Sequence, residues 1–511
     1  MSQKSIKKNY IYNVIYQLLI IIIPIIVTPY ISRTLDPEGV GQYSFSLALI
    51  TYFTIFASLG FGTYAQREIA KHQDDKEQQS IVFWEIFFCR LISVFLSLAV
   101  NLVLAFCGVY GKYTQLMFLF CINIIAIAFD IGFFFAGNEE FGKLVFINLI
   151  LRVLGTIGIF VFVKKPQDVW IYALLNSLLS IIANLSIWLF IRKKVVKIKF
   201  NKLRPLRHLR GALRLFIPTL AVSIYTVLDK TLIGVITHSD AENGFYEQAE
   251  KIVKMSMTVI TCLGTVMIPR NSYELGRGNI EQVRINNYNA LHFVWLLGMP
   301  LMFGNIFVAR NLVPWFLGEN FMSSISLIQI LAPLVLIIGI SNVIGLQYLL
   351  PCHKDRQFTF AITAGAVINL IMNIPLIYYF GSFGASLSTI IAELIVTTIM
   401  LIMVAKHLNF GKIILLSCKP LLASLIMCVA IYPLSYFLTP SILHTLIIVV
   451  VGVIVYGLAI LILRDSLVMS ILHVWKFKLR TMKTAKTESV EKTVSVGKSE
   501  NTDADVIDQL D

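Results

Sequence analysis

Long uncharged apolar segments recur along almost the whole chain, and most are about twenty residues long. An α-helix rises about 1.5 Å per residue, so a segment of this length crosses the hydrocarbon core of a bilayer. Hydrophobic residues make up 57% of the 511 residues and charged residues only 14%, whereas a soluble domain is about a quarter charged. The sequence therefore predicts an all-α polytopic membrane protein.

The apolar segments predict about fourteen transmembrane helices. The predicted spans cover residues 10–31, 40–63, 82–108, 114–136, 144–163, 169–191, 215–237, 245–269, 288–310, 325–350, 356–380, 383–405, 412–436 and 443–463. The first span follows Lys4, Lys7 and Lys8, which resembles the start of a signal peptide. Because its apolar run continues to about Ile31 without a small-residue cleavage site, we expect it to remain as a span.

The most basic stretch, Arg192–Arg214, separates the sixth span from the seventh and is called the linker below. It contains ten Lys or Arg residues, one His and no acidic residue. A nucleic-acid patch could have this composition, but both neighbours are membrane-length segments, and positively charged loops of such proteins stay in the cytoplasm. Lys and Arg are also more frequent in the alternate loops on the linker's side. We therefore expect both termini in the cytoplasm and no nucleic-acid partner.

The linker divides the sequence into two lobes of six spans each. The predicted units are an N-terminal lobe (1–191), the linker (192–214), a C-terminal lobe (215–405), an extra pair of spans (406–465) and a polar, disordered cytoplasmic tail (476–511). A short pattern recurs after the first span, at Glu38–Tyr43, and after the seventh, at Glu242–Tyr246. Two lobes with a weak repeat are typical of the internal duplication found in secondary transporters.

Ionisable residues inside the predicted spans are the main functional candidates, since a charge at mid-bilayer costs about 2.5–3.5 kcal/mol and usually faces an interior cavity. Asp130 and Arg152 lie at similar depths on consecutive spans, which favours either a structural ion pair or a substrate contact. Asp229 and Lys230 lie in the outer half of the seventh span and point about 100° apart. Glu393, near the midplane of span twelve, is either a proton or cation site or a neutral, hydrogen-bonded carboxyl group.

Two further sets of residues carry a weaker functional signal. Glu85 and Arg90 lie near the inner end of the third span, where long side chains can simply extend to the interface. Prolines interrupt several spans, and each can kink a helix so that one lobe rocks against the other; the alternative is an ordinary structural proline. The hinge candidates are Pro24, Pro29, Pro218 and Pro375.

The sequence has no pattern typical of a catalytic or metal site. The seven cysteines lie in or beside apolar segments without a CxxC pair, so neither a metal site nor a disulfide framework is expected. A Walker A loop, an HExxH motif and a GxSxG motif are all missing from the sequence, and the loops on the side opposite the linker are short. We therefore expect no catalytic residue, cofactor or metal, and transport is favoured over catalysis.

Five motifs occur in order along residues 10–465. They are Pro29–Tyr43 (PYISRTLDPEGVGQY), Gly60–Ala70 (GFGTYAQREIA), Tyr225–Lys230 (YTVLDK) with Gly234, Gly244–Lys251 (GFYEQAEK), and Asn369–Pro375 (NLIMNIP) with Gly381–Ala385 (GSFGA). In these motifs the chain resembles the polysaccharide flippases of the Wzx type. These belong to the multidrug/oligosaccharidyl-lipid/polysaccharide exporter superfamily.

The resemblance implies a V of two six-helix lobes around a central cavity, with two extra C-terminal helices. It implies export of an undecaprenyl-pyrophosphate-linked oligosaccharide repeat unit, for capsule, O-antigen or exopolysaccharide synthesis, by ion-coupled alternating access in the cytoplasmic membrane of a bacterium. Membrane lipids are implied partners, and a polysaccharide polymerase and glycosyltransferases are candidate partners. The alternatives are a lipid II flippase or multidrug exporter of the same fold, and a membrane polymerase or ligase, a class that usually has a large outer loop.

This cargo assigns expected roles to the buried charges. A pyrophosphate needs cations in the cavity, and a carboxylate near it can take up or release the coupling ion. The candidate substrate-binding residues are Arg33, Arg67, Arg90, Arg152 and Lys230, and the candidate ion-coupling residues are Asp229, Glu393 and Asp130.

Overall fold

The computed structural model describes residues 3–192, 194–405 and 407–473, and these residues form helices and loops without a β-strand. The predicted tail at 476–511 lies outside the described residues, as do the side chains of residues 1–21 and that of Pro218. The described α-helices are α1 (Gln3–Ser58), α2 (Phe61–Lys71), α3 (Lys76–Phe106), α4 (Thr114–Phe129), α5 (Gly132–Gly137), α6 (Phe141–Phe162), α7 (Val169–Ile191), α8 (Leu209–Thr237), α9 (Asp240–Gly276), α10 (Ile280–Phe316), α11 (Ser323–Leu331), α12 (Leu334–Ile344), α13 (Asp355–Val404), α14 (Phe410–Phe437) and α15 (Ile442–Ile462).

Two of the helices contain a backbone break that divides them into two limbs. In α1 the break is at Asp36 (φ 57°, ψ 172°), directly before Pro37, and a residue before proline is disfavoured in the helical conformation. In α13 it is at Gly381 (φ 57°, ψ −134°), a conformation that glycine adopts without strain. The chain reverses its direction at Gly381, and the two limbs of α13 lie side by side. Asn369 Nδ2 on the first limb is 3.5 Å from Ser388 Oγ on the second.

The helices account for the fourteen predicted spans. Within the described residues, eleven helical segments are long and apolar enough to cross a membrane. Two of these, Ile22–Lys71 and Asp355–Val404, contain the breaks and hold two spans each, and the 29-residue helix α8 is the remaining span. The predicted all-α polytopic fold is confirmed.

Several predicted span boundaries differ from the helix bounds in the structure, and three predicted spans end early or are interrupted. The second span ends at Ser58 instead of residue 63, because Gly60 (φ 72°) packs so closely that a Cβ atom there would lie 2.7 Å from the carbonyl oxygen of Ala212. The following helix, α2, is separate and amphipathic: it buries Phe61 and Ile69 and exposes Arg67. The fourth span breaks between α4 and α5, and the tenth between α11 and α12, where a proline removes a backbone donor.

The C-terminal pair of helices packs on α10 of the second lobe. Asn311 Nδ2 donates to the carbonyl oxygen of Leu438 (2.9 Å), and Trp315 Nε1 donates to Thr445 Oγ1 (2.7 Å). In the first half of α10, His292 Nε2 lies 2.8 Å from Asp465 Oδ2, and both side chains are buried. Polar contacts in both halves of α10 therefore fix the pair to the second lobe.

The linker is docked on the N-terminal lobe through one buried carboxylate. Glu85, which is 1% exposed, accepts the backbone N–H of Arg204 at 2.7 Å. Its Oε2 lies 2.6 Å from Arg207 Nη2 and 2.9 Å from His208 Nε2. Tyr64 on α2 contacts the other nitrogen of the His208 ring at 2.9 Å. The expectation that Glu85 simply extends to the interface is therefore wrong, because the linker supplies buried partners for it.

Candidate functional site

A polar cavity of ≈ 420 Å³ lies between the two lobes. Its walls come from the first limb of α1, from α6 and α7, and from α9 of the second lobe. Two cations line it, Arg152 on α6 and Lys251 on α9. The uncharged polar residues of the wall are Asn148, Thr156, Tyr172, Asn176 and Ser180. A cavity with one cation from each lobe can hold an anionic group whose binding depends on the distance between the lobes.

An ionic cluster lies beside Lys251 on α9. Lys230 Nζ on α8 lies 2.5 Å from Glu247 Oε2 and 3.0 Å from Glu250 Oε2. Lys254 Nζ lies 2.6 Å from Glu250 Oε1, and Ser44 Oγ on α1 donates to Glu247 Oε2 at 2.8 Å. The spacing of three and four residues places these side chains on one face of α9. The charge of Lys230 is therefore largely compensated by two carboxylates, and the cluster reaches the first lobe through Ser44.

Asp229, next to Lys230, is buried in the second lobe and faces different partners. Its carboxylate accepts hydrogen bonds from Tyr246 Oη on α9 (2.7 Å), Asn373 Nδ2 (2.7 Å) and Thr389 Oγ1 (2.6 Å). Asn373 and Thr389 lie on the two limbs of α13, on either side of the break at Gly381. Asn373 Nδ2 also donates to Asn369 Oδ1 at 3.0 Å. Asp229 thus connects α8, α9 and α13 of the second lobe through hydrogen bonds from hydroxyl and amide groups.

The lobes meet at the end of the bundle opposite the linker, in a contact called the seam below. Asp240, at the start of α9, accepts from Lys112 Nζ (2.6 Å) and Tyr113 Oη (2.5 Å) of the first lobe. Asn320 Nδ2 donates to Asp36 Oδ1 at 2.9 Å across the same boundary. The residues of the repeated pattern face one another here: a Cβ atom on Gly41 or Gly244 would overlap backbone of the opposite lobe.

The cavity is separated from the seam by aromatic side chains. Tyr43 packs against Tyr172, which lines the cavity, with 4.5 Å between ring centroids. Tyr43 also packs against Phe120, and Tyr30 donates to the carbonyl oxygen of Val163 at 2.5 Å. These contacts leave the seam end of the interface closed.

Of the predicted substrate-binding residues, one lines the polar cavity and the others lie elsewhere. Arg152 lines the cavity. Arg33 is exposed at the seam and donates to the carbonyl oxygen of Trp315, and Arg67 is exposed on α2. Arg90 is buried inside the first lobe, where it donates to backbone carbonyl groups at the end of α4, including that of Asp130.

The predicted ion-coupling and hinge residues lie at several different places in the structure. Asp130 Oδ1 accepts the N–H of Gly132 (2.9 Å) at the break between α4 and α5, and the backbone carbonyl of Asp130 accepts from Arg90. Glu393 is half-buried on the second limb of α13. Of the hinge candidates, Pro24 lines the cavity, Pro24 and Pro29 lie within a helix that continues through both, and Pro375 lies six residues before the break at Gly381.

Several residues of the site were missed by sequence reasoning. Lys251, Glu247 and Glu250 follow Asp229-Lys230 on the next helix, and their spacing of three and four residues was a signal for one polar face. Asn369 and Asn373, spaced four apart, give a similar signal on α13. Tyr246 carried no such signal, since its hydroxyl group finds Asp229 only in the folded protein.

Two lobes of six spans around a polar cavity define a helical membrane transport protein. Residues 6–273, more than half of the chain, match the family described as Polysaccharide biosynthesis protein. The chain belongs to this family, and the predicted resemblance to polysaccharide exporters is confirmed.

Named relatives and solved structures agree with this assignment. A putative O-antigen transporter of Escherichia coli (strain K12) is 24% identical over 406 residues, which cover 79% of this chain and 97% of the relative. A probable low-salt glycan biosynthesis flippase of Haloferax volcanii is 23% identical over 260 residues, 50% of this chain and 53% of the relative. The fold is similar to that of the lipid II flippase MurJ in an inward closed conformation (TM-score 0.63, 19% identity, 86% of this chain and 100% of that chain). It is also similar to an inward-facing multidrug resistance MATE transporter (TM-score 0.57, 14% identity, 78% of this chain and 98% of that chain).

Proposed function

We propose that this protein is a flippase that moves a lipid-linked oligosaccharide, carried on undecaprenyl pyrophosphate, across the membrane for capsule, O-antigen or exopolysaccharide synthesis. The observation that carries the proposal is the polar cavity with Arg152 from one lobe and Lys251 from the other. The names of the relatives, an O-antigen transporter and a glycan flippase, support a polysaccharide cargo.

The cargo would bind through its two chemically different parts. The pyrophosphate would contact Arg152 and Lys251, because charge-assisted hydrogen bonds are about twice as strong as neutral ones. The sugars would use the amide and hydroxyl groups of Asn148, Asn176 and Thr156. Lys230 would then act indirectly, by holding Glu247 and Glu250 next to Lys251.

The coupling ion would act at Asp229. A proton would convert its carboxylate into a donor, and a monovalent cation would find carboxylate, amide and hydroxyl oxygens there. In either case the hydrogen bond from Tyr246 would change, and Tyr246 lies two residues after Gly244 of the seam. Glu242 accepts the N–H of Ser382 (2.9 Å) at the break of α13, which gives a second connection between this site and the seam. Ion binding would thereby bias the seam towards opening.

The charge distribution supports the proposed orientation in the membrane. The basic linker would lie in the cytoplasm with both termini, and the seam would face outwards, so the structure would be open towards the cytoplasm. The protein would reside in the cytoplasmic membrane, with lobe boundaries at the linker (192–214) and at residue 405, and it would perform transport without enzymatic catalysis. A polysaccharide polymerase and glycosyltransferases would use its product and supply its substrate.

Complementation tests the proposed cargo. In a strain that lacks its own repeat-unit flippase, expression of this chain should restore surface polysaccharide. The two other cargoes of the same fold are tested in parallel, in a strain depleted of its lipid II flippase and in a drug-sensitive strain. If the strain without a repeat-unit flippase does not regain surface polysaccharide, the proposed cargo is wrong. Growth of the strain depleted of its lipid II flippase would then identify lipid II as the cargo, and growth of the drug-sensitive strain would identify a drug.

A further inference from the structure

A second cavity, of ≈ 470 Å³, is apolar and lies on a different side of the first lobe. It runs between the second limb of α1 and α3, and is called the lateral groove below. Its lining residues are Phe53, Phe56, Leu59, Cys89, Ile92, Ser93, Leu96, Ser97, Val100, Leu206 and Leu209. The polar cavity uses the first limb of α1 with α6, α7 and α9, so the two cavities have no lining residue in common.

The lateral groove offers hydrocarbon contacts and almost no hydrogen bonds. Its only hydroxyl groups are already satisfied, because Ser93 Oγ donates to the carbonyl oxygen of Ala57 and Ser97 Oγ to that of Phe53, both at 2.7 Å. Large apolar side chains remain exposed along its wall, with Leu96 at 64%. A sugar would lose hydrogen bonds to water in this groove, whereas an acyl chain would not.

One end of the groove is bordered by an amphipathic part of the linker and α8. Leu206 and Leu209 line the groove, while Arg210 and Arg214 lie on the adjacent face at helical spacing. The guanidinium groups of Arg204, Arg210 and Arg214 are exposed, and among the described residues they form no salt bridge or side-chain hydrogen bond. Three cations that have no partner among the described residues therefore lie next to the end of an apolar groove.

The backbone segment that carries these cations is held by the docked linker. Glu85 holds the backbone of Arg204 and the side chains of Arg207 and His208, and it is itself buried. This part of the linker is thus already held in place beside the groove before a ligand binds. Less conformational entropy is therefore lost on binding.

We propose that the lateral groove binds one anionic glycerophospholipid of the surrounding bilayer. One acyl chain would occupy the groove, and the phosphate group would contact Arg204, Arg210 and Arg214. Arginine matches phosphate geometry through paired N–H groups. A lipid held there contacts both the linker and the start of α8, the helix that carries Asp229 and Lys230. This lipid is distinct from the transported cargo, and the proposal goes beyond the proposed function.

Lipid binding to the purified full-length protein tests this site without any transport. Native mass spectrometry would measure retention of phosphatidylglycerol and, in parallel, of phosphatidylcholine with the same acyl chains. The test variants are the triple variant Arg204→Gln/Arg210→Gln/Arg214→Gln and the groove-filling Leu96→Trp. The matched controls are Arg270→Gln/Arg277→Gln/Arg284→Gln, which removes three exposed charges from α9, α10 and the loop between them, and Phe95→Trp, an exposed neighbour outside the groove. Ile92→Trp replaces Leu96→Trp if the latter fails to fold in a thermal unfolding assay.

The expected result is selective retention of phosphatidylglycerol by the wild type, with affinity lowered about tenfold or more in both test variants. For the triple arginine variant this size follows from about a fivefold contribution per basic residue near an anionic surface. For Leu96→Trp the loss comes from the indole ring, which occupies the space of the acyl chain. The controls should stay within about twofold of wild type. Equal retention of both lipids, equal losses in test and control variants, or displacement of phosphatidylglycerol by a polyprenyl phosphate at equal concentration would each overturn the proposal.

Discussion

Gly41 and Gly244 make the same contact twice across the seam, once from each lobe. A Cβ atom on Gly41 would overlap the carbonyl oxygen of Asp240, and one on Gly244 would overlap the carbonyl oxygen of Pro37. Gly41 and Gly244 are separated by the same number of residues as Pro37 and Asp240. Reciprocal contacts of this kind define a two-fold interface. The short repeat in the sequence is therefore the part of each lobe that touches its counterpart.

Substitution of either glycine should prevent the seam from closing. We expect Gly41→Ala and Gly244→Ala each to lower surface polysaccharide in a complementation assay by about tenfold or more, since backbone cannot move aside as a flexible side chain can. Gly304→Ala in α10, where the added Cβ has nothing within 4 Å, should stay within about twofold.

Accessibility separates a gate defect from misfolding. Position 112 faces Asp240 across the seam. In a Lys112→Cys variant, labelling by a membrane-impermeant reagent should therefore increase when Gly41→Ala is added, because opening of the seam moves Asp240 away from position 112. Unchanged labelling together with normal polysaccharide would show that the glycine contacts are dispensable.

The spans and the linker were predictable because their signals are local. Hydrophobic runs and loop charges are read from neighbouring residues, and fourteen spans with a basic connector follow from them. The seam was not predictable in this way, since the need for glycine at position 41 comes from backbone two hundred residues away. The role of Arg90 was missed for a similar reason: its carbonyl partners exist only because α4 ends at Phe129.

The cavity cations should act together on the cargo. Arg152→Gln and Lys251→Gln should each lower transport of a pyrophosphate-linked sugar in vesicles by about tenfold or more, the cost of a lost charged hydrogen bond. The double variant should lose less than the product of the single losses if both side chains hold the same group. Lys165→Gln, an exposed lysine just beyond the end of α6, is the control and should change transport little. Full transport in both single variants would contradict the cavity assignment.

Substitutions of the two coupling candidates, Asp229 and Glu393, should have opposite effects on the dependence of transport on an ion gradient. Asp229→Asn keeps the size of the side chain and removes its charge, so it should abolish the response of vesicle transport to proton or sodium gradients. Glu393→Gln should retain that response, because the hydrogen bonds of Asp229 connect α8, α9 and both limbs of α13 and make it the proposed coupling site. Loss of the response in Glu393→Gln but not in Asp229→Asn would transfer the coupling role to Glu393.

Docking of the linker should weaken in mild acid because of His208. Burial lowers the pKa of His208, the nearby Arg207 lowers it further, and Glu85 and Glu68 partly oppose the shift. The undocked linker therefore binds a proton more readily than the docked one, and docking is favoured less as the pH falls below the ordinary histidine pKa of about 6.5.

Limited proteolysis of the linker measures this equilibrium. Cleavage near Arg204 should increase between pH 7.5 and pH 5.5, because the undocked linker binds the proton of His208 more readily than the docked one. His208→Gln should make the cleavage rate nearly independent of pH, because glutamine keeps a hydrogen-bond donor for Glu85 but does not titrate. His353→Gln, an exposed histidine in a loop of the second lobe, should leave the pH dependence as in the wild type. A wild-type linker that is equally resistant at both pH values would show that His208 does not control docking, since protonation would then carry no cost in the docked state.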